Sequence, residues 1–247
     1  AAYQCEGAWN EGGKGESNWD AFVHDPDKNP KGITGDVAND FYHRYKEDIE
    51  LLAKGNQNTF RFSLSWSRII PSSNWQINPQ GVAFYRSVLE ECRKHGIAAN
   101  VTLLHYDIPQ WIEAEGGYLN DQFPAYFARY AGMVFDLFGD SIPYYVTINE
   151  ITHNANCAYL QGKYPPNHHS VQELCHVGYN LVIAHARAVA EFRKRKLNSK
   201  IGIVHTTNTV QTLLDTEEYR IARHRGDLFK NLWVTDPAIL GHFPEDL

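Results

Sequence analysis

Four apolar, β-branched runs end in polar residues along the chain: Thr59–Trp66 (TFRFSLSW), Ile97–Asp107 (IAANVTLLHYD), Tyr144–Glu150 (YYVTINE) and Ile201–Thr206 (IGIVHT). Short runs of this kind predict buried strands. Between them, apolar residues return every three or four positions, which predicts helices. Phe41, Tyr45, Ile49 and Leu52 mark one such face. Val82, Tyr85, Leu89 and Cys92 mark the next, with Pro79 at its start and Gly96 just past its end. Phe123, Phe127, Tyr130, Val134 and Leu137 form a third. The longest stripe runs from about Val171 to Leu197 and closes on Arg193-Lys194-Arg195-Lys196, a basic end that suits a solvated helix C-terminus. A last helix is expected from about Thr216 to Leu232, and the stretch carrying Gln4 and Glu6 reads as the end of one further strand.

Strict strand–helix alternation predicts parallel strands with helices packed outside them. No Gly-rich phosphate fingerprint follows any strand, which disfavours a doubly wound nucleotide-binding sheet. The expected fold is therefore an α/β, (β/α)8 TIM barrel, its active site at the C-terminal ends of the strands. The 247 residues match a typical barrel in length, yet hold only about five βα units of roughly 50 residues; eight would need about 400. The expectation is one partial barrel domain over 1–247, truncated at its C-terminus and at its N-terminus.

Composition narrows the function classes. Hydrophobic residues make up 43% and charged residues 21%, ordinary for a globular chain. The 23 Lys and Arg against 29 Asp and Glu give a net charge of −6 with no basic block, which argues against nucleic acid or an anionic membrane as a main partner. No run of 18 apolar residues is present to span a bilayer. Cys5, Cys92, Cys157 and Cys175 form no CxxC pair and read as reduced thiols, mostly buried, of a cytoplasmic protein. Aromatic residues reach 13%. They suit a packed core or a surface for stacking sugar rings, and composition does not choose between these.

The predicted strand ends carry the candidate chemistry: Gln4 and Glu6; then Arg61, Ser63, Ser65 and Trp66; then His105-Tyr106-Asp107; then Asn149-Glu150. A barrel interior wants apolar side chains, so an amide, a guanidinium, an imidazole and a carboxylate around one mouth point to a hydroxyl-rich ligand or a metal. Among the 12 His there is no HExxH, so a metal is the weaker option. Glu150 ends an apolar strand, where burial would raise its pKa and suit it to protonate a leaving-group oxygen. Arg61 has two readings, a structural ion-pair partner or the support of a second carboxylate at the reaction centre.

Longer motifs sharpen this picture. Ala2-Tyr3-Gln4-Cys5-Glu6-Gly7-Ala8-Trp9, Gly35-Asp36-Val37-Ala38 with Tyr42 to Asp48, Phe60-Arg61-Phe62-Ser63, Thr102 to Pro109 (TLLHYDIP) and Thr147-Ile148-Asn149-Glu150 occur in this order. Together they resemble glycoside hydrolase family 1 over essentially the whole chain. The resemblance implies a (β/α)8 barrel that hydrolyses β-glycosides with retention and without cofactor. It implies Glu150 as general acid/base, Asn149 as ligand of the sugar 2-hydroxyl, Gln4 and His105 as ligands of the 3- and 4-hydroxyls, and Arg61 as contact of the nucleophile carboxylate. Tyr106 stands where many members have Trp, in a substrate-binding position.

Two departures bear on function. Ile151 follows Glu150 where many members have Pro, a sequence familiar among 6-phospho-β-glycosidases of the family. No Thr-Glu-Asn-Gly-like strand end is present to supply the nucleophile, which retaining hydrolysis needs about 5 Å from the acid. Asp107 and Glu6 are scaffold positions in the family and are not expected to replace it. The reading is a β-glucosidase chain carrying the acid/base half of the site and inactive alone. Open beside it are a 6-phospho-β-glucosidase, an inactive sugar-binding protein, and a half-barrel that needs a partner chain. Self-association as a homo-oligomer is also open.

Overall fold

The computed structural model describes residues 2–247. Four parallel strands form one sheet in chain order: β1 (Thr59–Ser63), β2 (Ala98–Leu104), β3 (Tyr144–Asn149) and β4 (Lys200–Val204). Phe62 lies opposite Val101, and Tyr145 opposite both Val101 and Ile201. Between successive strands run the helices Pro79–Lys94, Phe123–Phe138 and Val171–Lys194, the crossover arrangement that parallel pairing requires.

Local sequence explains the helix ends. Asn78 accepts the Gln80 N–H with Pro79 in the first turn, and Ser170 accepts the Glu173 N–H. Basic residues close both of these helices, Arg93 and Lys94 in one and Arg193 and Lys194 in the other. The core lies between sheet and helices. Val101, Leu103 and Ile148 pack with Val88, Phe127, Tyr130, Leu181 and Ala184, all buried. Trp66 stacks on Tyr130 with ring centroids 4.4 Å apart, so this part of the aromatic content is core.

Three expectations need correction. Residues Ala2–Cys5 form a short helix rather than a strand end, closed by the Glu6 N–H donating to the Ala2 carbonyl at 2.8 Å. The described residues therefore contain four strands, not five. The strands also stop earlier than their apolar runs. Trp66 opens a short helix (Trp66–Ile69), and His105–Asp107 lie beyond β2, because left-handed backbone at Tyr106 (φ 75°) cannot continue a ladder. Of the four free thiols, Cys92 and Cys157 are buried, Cys5 is half-buried and Cys175 is exposed.

One irregularity positions the site. Tyr145 and Thr147 on β3 face the helices, meeting Phe135, Phe192 and His185. Strict alternation would send Asn149 the same way. Instead Val146 pairs with Gly202 and Asn149 with Val204, so β3 carries one extra residue against β4. A bulge of this kind re-aims the side chain that follows it, and Asn149 turns to Arg61 and Tyr106.

Candidate active site

The ends of β2 and β3 meet in a chain of hydrogen bonds. Arg61 donates through Nε to Thr102 Oγ1 at 3.1 Å and through Nη2 to Asn149 Oδ1 at 2.6 Å. That contact orients the Asn149 amide, whose Nδ2 donates to the Tyr106 hydroxyl at 2.9 Å. Tyr106 in turn donates to Glu150 Oε2 at 2.7 Å. Glu150 has left-handed backbone (φ 45°), and its N–H donates to the Val204 carbonyl at 2.8 Å, which ties the carboxylate to the end of β4. Four residues expected from sequence are thus linked directly, and Arg61 pairs with the amide rather than with Glu150.

The electrostatics of Glu150 differ from the expectation. Burial pushes its carboxyl up, but it is only half-buried. The hydroxyls of Thr206 and Tyr106 and the nearby His153 and His105 outweigh that effect and hold it below its ordinary value. Thr206 faces the carboxylate without completing a hydrogen bond of its own. The Tyr106 phenol is pushed far up by burial and by Glu150, so the shared proton stays on the phenol. Burial lowers His105 to about 4, leaving a neutral imidazole at pH 7 whose Nδ1 is buried without a partner. Burial also lowers Arg61, with the Glu150 charge opposing.

Gln4 is exposed and stands with His105 and Tyr106 on a pocket of about 360 Å³. Its other walls include Tyr3, Trp19 and Tyr164. Tyr3 stacks on Trp19 at 5.3 Å, and Trp19 meets Tyr164 edge-on at 5.0 Å. Here aromatic content forms surface rather than core, and an uncharged aromatic wall beside an amide and an imidazole suits a sugar ring. Glu6 and Asp107 are elsewhere employed. Glu6 is buried, accepting from Arg68 Nε at 3.0 Å and from the Tyr85 hydroxyl at 2.6 Å. Asp107 is buried, and burial raises its pKa well above the ordinary value, which does not suit an ionised nucleophile. Among the described residues, no group of three His, Cys, Asp or Glu is placed to hold a metal ion.

Sequence reasoning missed Thr206, His153 and Tyr164. Thr206 could have been found, since it closes a predicted strand. His153 and Tyr164 lie past Glu150 on a helix and a loop, where strand-end logic has no signal. Their contact, His153 Nε2 to the Tyr164 hydroxyl at 3.3 Å, exists only in the fold.

The profile of Glycosyl hydrolase family 1 matches residues 1–247. The chain belongs to this family. Among curated relatives of this family 1 chain, a 6-phospho-beta-galactosidase of Clostridium acetobutylicum is 35% identical over 247 residues, covering 100% of the chain and 51% of the relative. Beta-glucosidase A of Acetivibrio thermocellus is 35% identical over 246 residues, with 100% and 55% covered. Among solved structures, a beta-glucosidase from Thermotoga maritima in complex with glucoimidazole superposes with a TM-score of 0.94 at 35% identity, covering 99% of this chain and 56% of that one. The chain spans about half the length of the curated relatives it matches. The four-stranded sheet is accordingly part of a (β/α)8 barrel, as the alternation of elements implied. No helix among the described residues is long and apolar enough to cross a membrane.

Proposed function

We propose that this family 1 chain carries the proton-transfer half of a retaining β-glycosidase site acting on β-glucosides. The observation that carries the reading is the placement of Glu150 at the end of β3, with Asn149 beside it and Tyr106 on its Oε2. Glu150 protonates the glycosidic oxygen as a second carboxylate attacks the anomeric carbon; it then deprotonates the water that cleaves the glycosyl-enzyme. A carboxylate held about 5 Å away would also push Glu150 back up into the range of an acid. Asn149 binds the 2-hydroxyl, and Gln4 and His105 the hydroxyls further along the ring. Arg61, with Nε and Nη2 already committed, offers Nη1 to the nucleophile carboxylate.

The second carboxylate has no candidate in these residues, since Glu6 and Asp107 are held in the scaffold. We therefore propose that residues 1–247 alone do not turn over. An aryl β-glucoside assay tests both statements. The natural chain containing these residues should be active, and Glu150→Ala should keep cleaving glucosides of strongly acidic phenols only to the glycosyl-enzyme, with azide restoring turnover. Equal loss for all leaving groups, or no loss, overturns the role of Glu150. Turnover by the purified 247-residue chain overturns the inactivity.

A 6-phospho-β-glucoside is the second reading, favoured by Ile151 after Glu150 and by the phospho-glycosidase relative. No Lys or Arg lines the pocket beside Gln4 and His105, so in this second reading the partners a phosphate dianion requires come from outside that pocket. Paired assays on a β-glucoside and its 6-phospho form discriminate the two. Four free thiols support a cytoplasmic location for the same enzyme.

A further inference from the structure

Tyr106 does something that an indole in its place could not. Its hydroxyl accepts from Asn149 Nδ2 at 2.9 Å and donates to Glu150 Oε2 at 2.7 Å. An indole N–H donates only, whereas a phenol both accepts and donates. The bridge between amide and carboxylate therefore depends on the hydroxyl. Tyr106 is also well fixed. It is buried with 7% exposure, its backbone is left-handed at φ 75°, and its carbonyl accepts from the Tyr118 hydroxyl at 3.0 Å.

We propose that Tyr106 is a positioning residue for Glu150, clamping the carboxylate toward β2 in the resting site and releasing it when a sugar takes over the Asn149 amide. This proposal rests on the acid/base reading of Glu150. While the clamp is closed, Oε2 is engaged as an acceptor, which favours the ionised form and keeps Glu150 from presenting a proton. A sugar hydroxyl that binds Asn149 removes the donor that fixes the phenol. The phenol can then leave Oε2, and the carboxyl becomes free to protonate and face the leaving oxygen.

Other groups facing Glu150 act alongside this clamp. Arg61 on β1 and His105 beyond β2 influence its charge, as do His153 on its own helix, Tyr164 on the following loop, and His205 and Thr206 past β4. Of these and Tyr106, only Tyr106 touches both Asn149 and the carboxylate.

The test is a ¹³C NMR titration of the Glu150 side chain, beside kcat and KM against pH, in the natural chain containing these residues. Tyr106→Phe should move the Glu150 titration, and the alkaline limb of kcat/KM, upward by about one pH unit, because a hydrogen bond to the charged form is lost. Tyr106→Met also has no donor for Glu150 and should show the same shift. An unmoved titration in both variants, with only KM raised, makes Tyr106 a plain sugar contact and overturns the proposal. The acid/base reading fails separately, if Glu150→Gln leaves turnover intact. Should Tyr106→Phe not fold, Tyr106→Met decides the matter by the same titration.

Discussion

Arg61 Nη2 donates to Asn149 Oδ1 at 2.6 Å, spanning β2 to join the edge strand β1 to the end of β3. Because Oδ1 is taken by a guanidinium that can only donate, the amide has one orientation left, and Nδ2 must face Tyr106. A single contact thus sets the direction of the whole chain from Arg61 to Glu150.

Arg61→Lys tests that role. An ammonium keeps the charge but cannot reach Thr102 and Asn149 together. Losing one charge-assisted hydrogen bond costs about 2 kcal/mol, which is roughly a thirtyfold fall in kcat/KM where it is lost in the transition state and about 4–8 °C in melting temperature where it is lost from the fold. Steady-state kinetics and thermal unfolding on the same preparation check both parts.

The buried pair Glu6–Arg68 predicts a large effect on stability. Arg68 is fully buried, and its other nitrogens donate to the carbonyls of Gly7, Ala8 and Glu11. Removing one partner strands the other charge, so Glu6→Ala or Arg68→Met should destabilise by about 3–5 kcal/mol. Urea unfolding measures it; a change below 1 kcal/mol would mean the pair is hydrated.

His185 predicts a pH dependence of opposite origin to a salt bridge. It is buried against Thr147, with Nδ1 2.7 Å from Oγ1, and burial lowers it from 6.5 to about 4. Between those values the unfolded chain binds a proton that the folded chain refuses, so stability falls as pH drops from about 6.5 to 4. The loss attributable to this group is at most about 3 kcal/mol. His185→Gln should flatten that part of a stability-against-pH curve; an unchanged slope would assign it to other groups.

Gly7 sits at φ 65°, where a Cβ would come within 2.1 Å of the Val37 carbonyl oxygen. Gly7→Ala should therefore cost about 1–3 kcal/mol and displace the segment that carries Gln4. Fluorescence of Trp19, across the pocket, reports that displacement, and an unaltered spectrum with native stability would show that the loop yields freely.

Much of the candidate site was legible because polarity is conspicuous at the end of an apolar run. Arg61, His105, Tyr106, Asn149 and Glu150 stand out on that ground, whereas Gln4 lies in a short helix and owes its role to the family resemblance. The protonation state of Glu150 was not legible, since burial alone predicts a raised pKa and the opposing hydroxyls come from Tyr106 and Thr206, 44 residues before it and 56 after it in the chain. The N-terminal segment was misread as the end of a strand, while its described residues close a helical turn.

Alternation of apolar runs with helical stripes determined by itself that the strands are parallel and helix-covered, because only crossovers join parallel neighbours. Motif order likewise determined the family. The tertiary structure decided where polar side chains point. The extra residue in β3 breaks the two-residue period that pattern reading assumes. Left-handed backbone at Tyr106 and Glu150 then aims both at one proton. Such directions depend on ladder register and on partners distant in sequence, which no local pattern encodes.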